Sequence, residues 1–428
     1  MLPNLNGLHF LLTGGTGYLG RQVVKELVSR GAYVTLLTTS SIELVHPRLQ
    51  AIKWSLHSAD FESSFLTKSS CFPRPTSLIH LAYSWRNAVD QHGISINVSG
   101  TLNLYRWAKE NGIKFVFVSS VSAREGALNR YGREKFFIER SLSQPEAVVA
   151  KVGLVYGGDR LSQWGQLLRI VAVSRVLPMI DPWVMVQPIS IEKTVSGLIC
   201  LSTQNGFSRA SYVIAGDIDL CFGDFLKIVS YMFFNRELFV ISIPHQMVLY
   251  PLMLIGLIIP SANIIRDRVL GIVGMTKIYS TLDLQELDLL NDDLISAYKR
   301  KRIFYEAVLF ISAVTGSKPT ASSFSVETYV RAIIAQRGGV PYSLPFWVFH
   351  PIFLRCIEPL PFVTRRHPAA DELTIRLNLA LGIVETGELA TYVYPYEKTG
   401  IDGIKILLIF LSEALIFPFR LLYWKLRR

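Results

Sequence analysis

One glycine-rich segment near the start of the chain constrains the fold more than any other feature. Thr13-Gly14-Gly15-Thr16-Gly17-Tyr18-Leu19-Gly20 follows a short apolar run and leads into a helical pattern. Its glycines satisfy G-x-G-x-x-G from Gly15 and a wider spacing from Gly14. Bare backbone of this kind turns tightly and approaches a diphosphate, whose charge the amides of the helix N-terminus then meet. The segment predicts a dinucleotide-binding turn, and the alternative is an ordinary tight turn between a strand and a helix.

Around this segment, short apolar runs alternate with turns and helical patterns as far as Val152. The predicted strands are Leu8–Thr13, Ala32–Thr38, Leu49–Trp54, Ser77–Ala82, Lys114–Ser119 and Ala147–Val152. The predicted helices lie between the first two strands, through Ile96–Lys109 and from Tyr131 to Leu142. Most of these strands are apolar on both faces, as in a parallel sheet that helices cover on both sides. The predicted fold class is therefore α/β, with a doubly wound parallel sheet of the Rossmann type.

The chain is predicted to have three parts, because the alternation loosens after Val152. Residues 1–155 form a dinucleotide-binding core, residues 156–293 a smaller mixed part that covers the substrate and completes the core, and residues 294–428 an apolar helical C-terminal extension. The 28 residues from Leu238 to Ile265 contain no Asp, Glu, Lys or Arg. They are long enough to cross a bilayer of ~30 Å. Three prolines interrupt them, so the sequence is equally compatible with a hairpin, with a segment lying flat in the membrane and with a straight span.

Charge and composition favour a lipid partner over nucleic acid. Lys and Arg outnumber Asp and Glu by 44 to 33, and such a net charge attracts anionic surfaces. Half of the residues are hydrophobic, and long uncharged runs are not typical of nucleic-acid proteins. The basic cluster Lys299–Arg302 is either a solvated face or a site for anionic headgroups. The closing segment Gly403–Arg428, with Tyr423 and Trp424 near its end, predicts a helix in the headgroup layer.

The cysteines and the N-terminus indicate the compartment. The four cysteines lie far apart without a C-x-x-C pair, so neither a metal site nor a disulfide framework is predicted. The first residues lack the basic and apolar regions of a signal peptide. The expected location is cytoplasmic, peripheral or monotopic on the inner face of a membrane.

A second motif carries proton chemistry. Tyr131 and Lys135 are four positions apart in a predicted helix, so their side chains share one face. An ammonium held beside a phenol favours the phenolate and is expected to lower the tyrosine pKa, which makes the phenol usable as a proton donor or acceptor. Ser120, at the end of a predicted strand, is placed to hold a substrate oxygen. The alternative is a solvated pair of helix side chains.

Together these motifs resemble the short-chain dehydrogenase/reductase family, in the extended and atypical branch of NAD-dependent epimerases, dehydratases and 3β-hydroxysteroid dehydrogenases. TGGTGYLG, LIHLAY, NVSGT, FVSS, YGREK and VGLVYGG occur in the family's order, over about residues 8–290. The resemblance implies that Tyr131 is the general acid/base, that Lys135 lowers its pKa, and that Ser120 orients the substrate, with Ser119 and Ser122 as less favoured candidates. The residues it implies for NAD or NADP are Gly14, Gly15, Thr16, Gly17, Tyr18, Leu19, Gly20, Thr38, Thr39, Leu81, Ala82, Tyr131 and Lys135.

Several positions depart from the family or allow two interpretations. Thr38-Thr39-Ser40-Ser41 replace the acidic residue expected after the second strand, which leans towards NADP because hydroxyls do not repel a 2′-phosphate. Lys151 replaces the usual arginine, and Tyr131 follows Ser120 by only 11 positions. Three further polar residues are open between site support and a plainer role. They are His80 as a core or cofactor-lining residue or as a catalyst, Asn97 supporting the site or packing a helix, and Glu192 with or without a substrate role.

The predicted function is an NAD(P)-dependent oxidoreductase or epimerase/dehydratase, associated with a membrane. Its substrate would carry a hydroxyl or keto group on a nucleotide sugar or on a lipid-like alcohol, such as a sterol or a polyprenyl-linked compound. The alternative is a non-catalytic nucleotide-binding accessory subunit of a membrane complex. Expected partners are a small-molecule substrate and membrane lipid, without nucleic acid, and a homodimer is left open.

Overall fold

The structure is a computed structural model, and most of what it describes lies in the first 290 residues. The continuous ranges are 4–39, 46–57, 72–85, 89–143, 145–158, 163–204, 208–234, 236–256, 266–267, 269–271 and 278–290. Beyond these it describes the single positions or short groups 294, 297–298, 301, 303–304, 306–308, 311, 326, 329–331, 333 and 380. The C-terminal segment 403–428, positions 40–41 and positions 257–265 lie outside the described residues.

A seven-stranded parallel sheet forms the centre of the fold. Its strands are β1 (His9–Thr13), β2 (Tyr33–Thr38), β3 (Leu49–Lys53), β4 (Ser77–His80), β5 (Lys114–Ser120), β6 (Ala147–Val152) and β11 (Ser211–Ile214). Their order across the sheet is β11-β6-β5-β4-β1-β2-β3, with the first strand in the middle. This is the strand order of a doubly wound sheet, in which the chain leaves the centre in both directions. The predicted fold class is confirmed.

Helices cover both faces of this sheet. The helices are α1 (Tyr18–Ser29), α2 (Ile96–Glu110), α3 (Arg130–Ser141), α4 (Gln163–Val173), α5 (Ile191–Thr203), α6 (Phe222–Phe234), α7 (His245–Gly256) and α8 (Thr281–Glu286). Phe10 and Leu12 of β1 belong to the apolar core that contains residues of α1 and α5. Leu11, between them, belongs to the core that contains residues of α2 and α3. Because alternate side chains of a strand point to opposite faces, burial on both faces explains the uninterrupted apolar runs.

Shorter strands pair outside the central sheet. They are β7 (Leu154–Tyr156) with β10 (Pro188–Ser190), β9 (Met185–Val186) with β12 (Leu220–Cys221), and β8 (Val176–Ile180) with β13 (Phe239–Ile243). The apolar stretch from Leu238 is therefore not one helix in its described part. It begins as β13 and continues as the 12-residue helix α7, which contains Pro251. Within the described residues, no helix combines the length and the apolar character that crossing a membrane requires.

The chain divides into two compact units. The first comprises Met1–Val229 and Leu238–Asp292, and the second comprises Ser230–Glu237 and Asp293–Arg428. Every site residue predicted from the sequence lies in the first unit. In the second unit, Lys301 is the described member of the predicted basic cluster, and its amine lies 4.9 Å from the centroid of the Tyr231 ring. The predicted three-part division of the chain stays a prediction.

Candidate active site

The turn between β1 and α1 is shaped by close backbone approaches. Gly14 has a φ of +69°, and a Cβ there would lie 2.9 Å from the amide nitrogen of Ala82. A Cβ on Gly20 would lie 2.1 Å from the carbonyl oxygen of Gly14. Gly17 caps α1 without a side-chain hydrogen bond, and the first turn of the helix holds no acidic residue. The first backbone amides of α1 can therefore donate hydrogen bonds to an anion, and the turn fits a diphosphate.

The other residues implied for the cofactor lie around this turn. Leu81 and Ala82 donate their amides to Thr13 Oγ1 at 3.1 and 3.2 Å, which fixes the chain after β4 against the end of β1. Tyr18 donates its hydroxyl to the carbonyl of Gly157 at 2.7 Å. Burial, and then the charge of Glu192, raises the pKa of Tyr18. Exposure differs among the remaining residues, with Thr16 and Thr39 exposed, Leu19 half-buried and Thr38 buried at the end of β2.

His80 is a core residue that supports the turn. It is 1% exposed, and its Nδ1 lies 2.8 Å from Thr13 Oγ1 and its Nε2 2.9 Å from Thr101 Oγ1. Thr101 donates its own hydroxyl to the carbonyl of Asn97, so Nε2 is the protonated nitrogen that donates to Thr101. Burial, assisted by the charge of Lys135, lowers the pKa of His80 to about 3. The imidazole is neutral near pH 7 and links the ends of β1 and β4 to α2.

Lys135 is buried among aromatic rings beside Tyr131. Its side chain is 4% exposed, and its amine lies 5.2 Å from the centroid of the Tyr131 ring and 4.9 Å from that of Phe117. The amine donates to the carbonyl of Val118 at 2.5 Å. Burial lowers the pKa of Lys135 to about 8, although Glu139 and Glu134 favour its charged form. Near pH 7 the group is therefore mostly an ammonium.

Tyr131 lies close enough to Ser120 for the two side chains to interact. Burial raises the pKa of Tyr131 to about 12, and the hydrogen bond to Ser120 opposes that rise. The net shift of this pKa is therefore upward, whereas the sequence predicted a pKa below the ordinary value. The amine lies against the ring and gives its hydrogen bond to Val118, so desolvation of the phenolate outweighs its charge. Near pH 7 the phenol keeps its proton and serves as a donor.

The three serines at the end of β5 and just after it have different partners. The hydroxyls of Ser120 and Ser122 lie 2.9 Å apart, and Ser122 donates its amide to Ser120 Oγ at 3.2 Å. Ser119 instead donates to Glu139, whose other carboxylate oxygen lies 3.0 Å from the amine of Lys151. Ser119 and Lys151 therefore form a partly buried polar cluster around Glu139, whereas Ser120 is the serine that contacts Tyr131.

The end of α3 that carries Tyr131 is fixed by contacts that sequence reasoning missed. Asp267 accepts the amide of Arg130 at 2.5 Å and lies 3.4 Å from the amide of Tyr131. Asn129 caps the same helix by accepting the amide of Gly132 at 3.2 Å. A Cβ on Gly132 would lie 2.5 Å from the carbonyl oxygen of Ser122, so a glycine brings this helix close to the serines. Asn129 and Gly132 are a helix cap and a close-packing glycine that the sequence around Tyr131 could have indicated. Nothing in the sequence connects Asp267 with them.

Tyr83, Trp85 and Glu134 also contact the site and were not singled out from the sequence. The Tyr131 ring has the ring of Tyr83 on its edge and that of Trp85 against its face. Asn97 donates to Glu134 at 2.9 Å and binds the main chain of Ser84. Of the two interpretations of Asn97, the structure favours support of the site. Tyr83 stands inside LIHLAY and Glu134 inside YGREK, so both motifs contained a signal.

Comparison with known proteins gives a family match over the N-terminal part of the chain. The sequence profile of the NAD dependent epimerase/dehydratase family matches residues 10–142. A ceramide reductase of Caulobacter vibrioides is 27% identical over 198 residues, which cover 44% of this chain and 59% of the relative. A UDP-glucose 4-epimerase of Vibrio cholerae is 26% identical over 203 residues, covering 39% and 58%. A 3 beta-hydroxysteroid dehydrogenase/Delta 5-->4-isomerase of Mycobacterium tuberculosis is 28% identical over 129 residues, covering 29% and 35%.

The similarity to these proteins is partial. The chain spans between about a third and three fifths of the length of these curated relatives. Among solved structures, the UDP-N-acetylglucosamine 4-epimerase of Bacillus cereus gives a TM-score of 0.46 at 18% identity, covering 68% of this chain and 94% of that one. The resemblance found in the sequence is confirmed at the level of the family. Over residues 10–142, the chain is similar to the NAD dependent epimerase/dehydratase family.

Proposed function

We propose that this protein is an NAD(P)-dependent oxidoreductase or epimerase of the short-chain dehydrogenase type, acting on a hydroxyl or keto group. One observation carries the proposal: Tyr131, next to Ser120 and beside the buried Lys135, stands at the same sheet edge as the glycine turn. Thr13 pairs with His80, and His80 with Phe117, so the carboxyl ends of β1, β4 and β5 meet there. In doubly wound sheets this edge is where ligands bind.

Ser120 and Tyr131 have different roles in the proposed reaction. The hydroxyl of Ser120 holds the substrate oxygen, and the phenol of Tyr131 moves a proton to or from that oxygen. NAD(P), when bound, would supply or accept the hydride at the carbon that carries this oxygen. Because Tyr131 keeps its proton near neutral pH, the site is prepared to protonate a carbonyl oxygen, which is the reductive direction. The ammonium of Lys135 reduces the cost of the phenolate that remains.

NADP is the proposed cofactor form. Thr38 and Thr39 stand where an acidic residue would reject a 2′-phosphate, and neither side chain carries a charge. Lys53 ends β3 and is paired with Thr38 across the sheet, with its side chain exposed. The strand register thus places the cation of Lys53 beside the hydroxyl of Thr38. The sequence alone did not show that these two positions are neighbours. A lone exposed ion pair contributes up to ~1 kcal/mol, so the preference over NAD is expected to be modest.

A lipid-like alcohol or ketone is the proposed substrate. By their names, two of the relatives act on lipids, a ceramide and a steroid, while a third acts on a nucleotide sugar. Aromatic rings surround Tyr131, which supports a substrate with an apolar surface next to its oxygen.

Turnover is the test of this function. The purified protein is expected to oxidise NADPH faster than NADH when it is given ketones from a panel of sterol-type, polyprenyl-type and nucleotide-sugar compounds. The measurement is the loss of nicotinamide absorbance, with product identified by mass. Tight nucleotide binding without turnover of any compound would instead support a non-catalytic nucleotide-binding subunit.

Membrane association is proposed on a different observation. In α7 the side chains of Met247, Tyr250, Met253 and Leu254 are all exposed, and their spacing places them on one face of the helix. Residues 238–256 contain no Asp, Glu, Lys or Arg. An apolar face flanked by no charge is suited to the boundary between headgroups and acyl chains.

Charges on this face are expected to release the protein from lipid. Transferring one such side chain to an apolar environment is favourable by about 1.5–3 kcal/mol, so Tyr250→Glu with Leu254→Glu should lower vesicle binding at least tenfold. The measurement is cosedimentation with vesicles of neutral and acidic phospholipids. Phe137→Glu, which places a charge at an exposed aromatic residue of α3, is the matched control. Equal binding by the double variant and the control would contradict the proposal.

A further inference from the structure

Glu134 is a buried carboxylate that the proposed reaction does not use. It is 8% exposed and precedes Lys135 on α3. One of its oxygens accepts the hydroxyl of Tyr83 at 2.8 Å and the side-chain amide of Asn97 at 2.9 Å. The other lies 3.8 Å from Nε of Arg130. A carboxylate is costly to bury unless it is hydrogen-bonded, so these contacts point to a structural task at this position.

The contacts of Glu134 fix the segment that follows β4. Asn97, on α2, accepts the amide of Ser84 at 2.8 Å and donates to the Ser84 carbonyl at 2.9 Å. Arg130, on α3, donates to the carbonyl of Trp85 at 3.1 Å. Side chains from two helices therefore hold residues 83–85 by their main chain and by the hydroxyl of Tyr83. A loop held in this way keeps its side chains in place before a ligand arrives.

The rings of this segment stand against Tyr131. Trp85 is stacked on the Tyr131 ring, with 5.3 Å between centroids and 16° between planes. Tyr83 meets the same ring edge-on, at 4.7 Å and 80°. Trp85 is half-buried, so part of the residue is exposed where it packs beside Tyr131. A substrate whose oxygen reaches Tyr131 and Ser120 places the groups next to its reacting carbon beside this indole.

We propose that Trp85 is a specificity-determining residue of this site, and that Tyr83, Glu134 and Asn97 are positioning residues that hold it against Tyr131. The Trp85 indole selects substrates with an apolar surface next to the reacting carbon. It disfavours substrates whose charged diphosphate would contact the indole. The inference rests on the proposed function, because it assigns the substrate side of the same Tyr131 site.

The test measures binding of two probes to the NADPH-saturated protein by equilibrium dialysis. The probes are a radiolabelled steroid ketone and radiolabelled UDP-galactose. The wild-type protein should bind the ketone more tightly than the sugar nucleotide. Trp85→Ala should weaken ketone binding about tenfold or more, while Trp85→Phe, which keeps an aromatic face, should stay within about threefold. Trp183→Ala, at a tryptophan that is 71% exposed, is the control and should change nothing.

The positioning role has its own variants. Glu134→Ala should weaken ketone binding as Trp85→Ala does, and Glu134→Gln should restore most of it because an amide oxygen still accepts the Tyr83 hydroxyl. NADPH affinity, read from nicotinamide fluorescence, should be the same in all variants. Ketone binding that is absent in the wild type, or unaltered by Trp85→Ala, would overturn the inference. Ketone binding without hydride transfer would leave the inference about Trp85 standing and would reject the proposed function instead.

Discussion

Replacing Tyr131 with phenylalanine is expected to lower kcat by about 10³-fold, within the range that a positioned general acid contributes. The substitution removes the hydroxyl that contacts Ser120 and keeps the ring that packs against Trp85 and Lys135. Tyr131 is itself among the residues implied for the cofactor, but the proposed diphosphate site lies between β1 and α1, so NADPH affinity should fall far less than kcat. The measurement is steady-state oxidation of NADPH at saturating ketone, together with a fluorescence titration of the nucleotide.

A second tyrosine provides the matched control. Tyr105 is buried on α2, and its hydroxyl lies 2.6 Å from that of Ser143. Tyr105→Phe also deletes one buried hydroxyl, but at a position outside the candidate site. It is expected to cost about 1 kcal/mol of folding free energy and to leave kcat within about twofold. Wild-type turnover in Tyr131→Phe would remove this residue from the chemistry.

Replacing Gly20 with alanine is expected to weaken NADPH binding by about 100-fold or more, since misplacing a binding group by ~1 Å has effects of this size. The added Cβ would meet the carbonyl oxygen of Gly14 at 2.1 Å and the Cα of Gly15 at 2.8 Å. Both neighbours are backbone of the turn itself, so the turn must move. Nucleotide fluorescence titration measures the affinity, and thermal unfolding without nucleotide shows whether the variant folds.

Gly17 gives a graded comparison within the same turn. A Cβ there would meet a single atom, the carbonyl oxygen of Gly14, at 3.2 Å, and the residue already has an extended backbone that alanine adopts. Gly17→Ala should therefore weaken NADPH binding much less than Gly20→Ala. A folded Gly20→Ala protein with wild-type affinity would show that the nucleotide does not rest on this turn.

The central sheet was largely predictable because most of its strands are buried on both faces. Each predicted strand lies within two residues of an observed one, and Ala147–Val152 agrees at both ends. The seventh strand, Ser211–Ile214, was missed. It has only four residues and alternates between half-buried and buried positions, so its apolar signal is short. Its place beside β6 depends on a connection of nearly sixty residues, which no local pattern encodes.

The part of the site that depends on helix periodicity could be predicted from the sequence. Tyr131 and Lys135 are close because residues four apart share a helix face. The sign of the Tyr131 pKa shift was not predictable, since desolvation depends on packing by residues distant in sequence, such as Trp85. Asp267 reaches the start of α3 from 137 positions away, and Glu134 acquires its role only from Tyr83 and Asn97. These partners come from other elements, so spacing within one motif does not reveal them.

The most direct test is a crystal structure of the protein with NADPH. We predict that the diphosphate lies against the backbone of Gly14–Gly20 and that the nicotinamide faces the hydroxyls of Tyr131 and Ser120. A nucleotide bound elsewhere, or a nicotinamide turned away from Tyr131, would contradict this prediction.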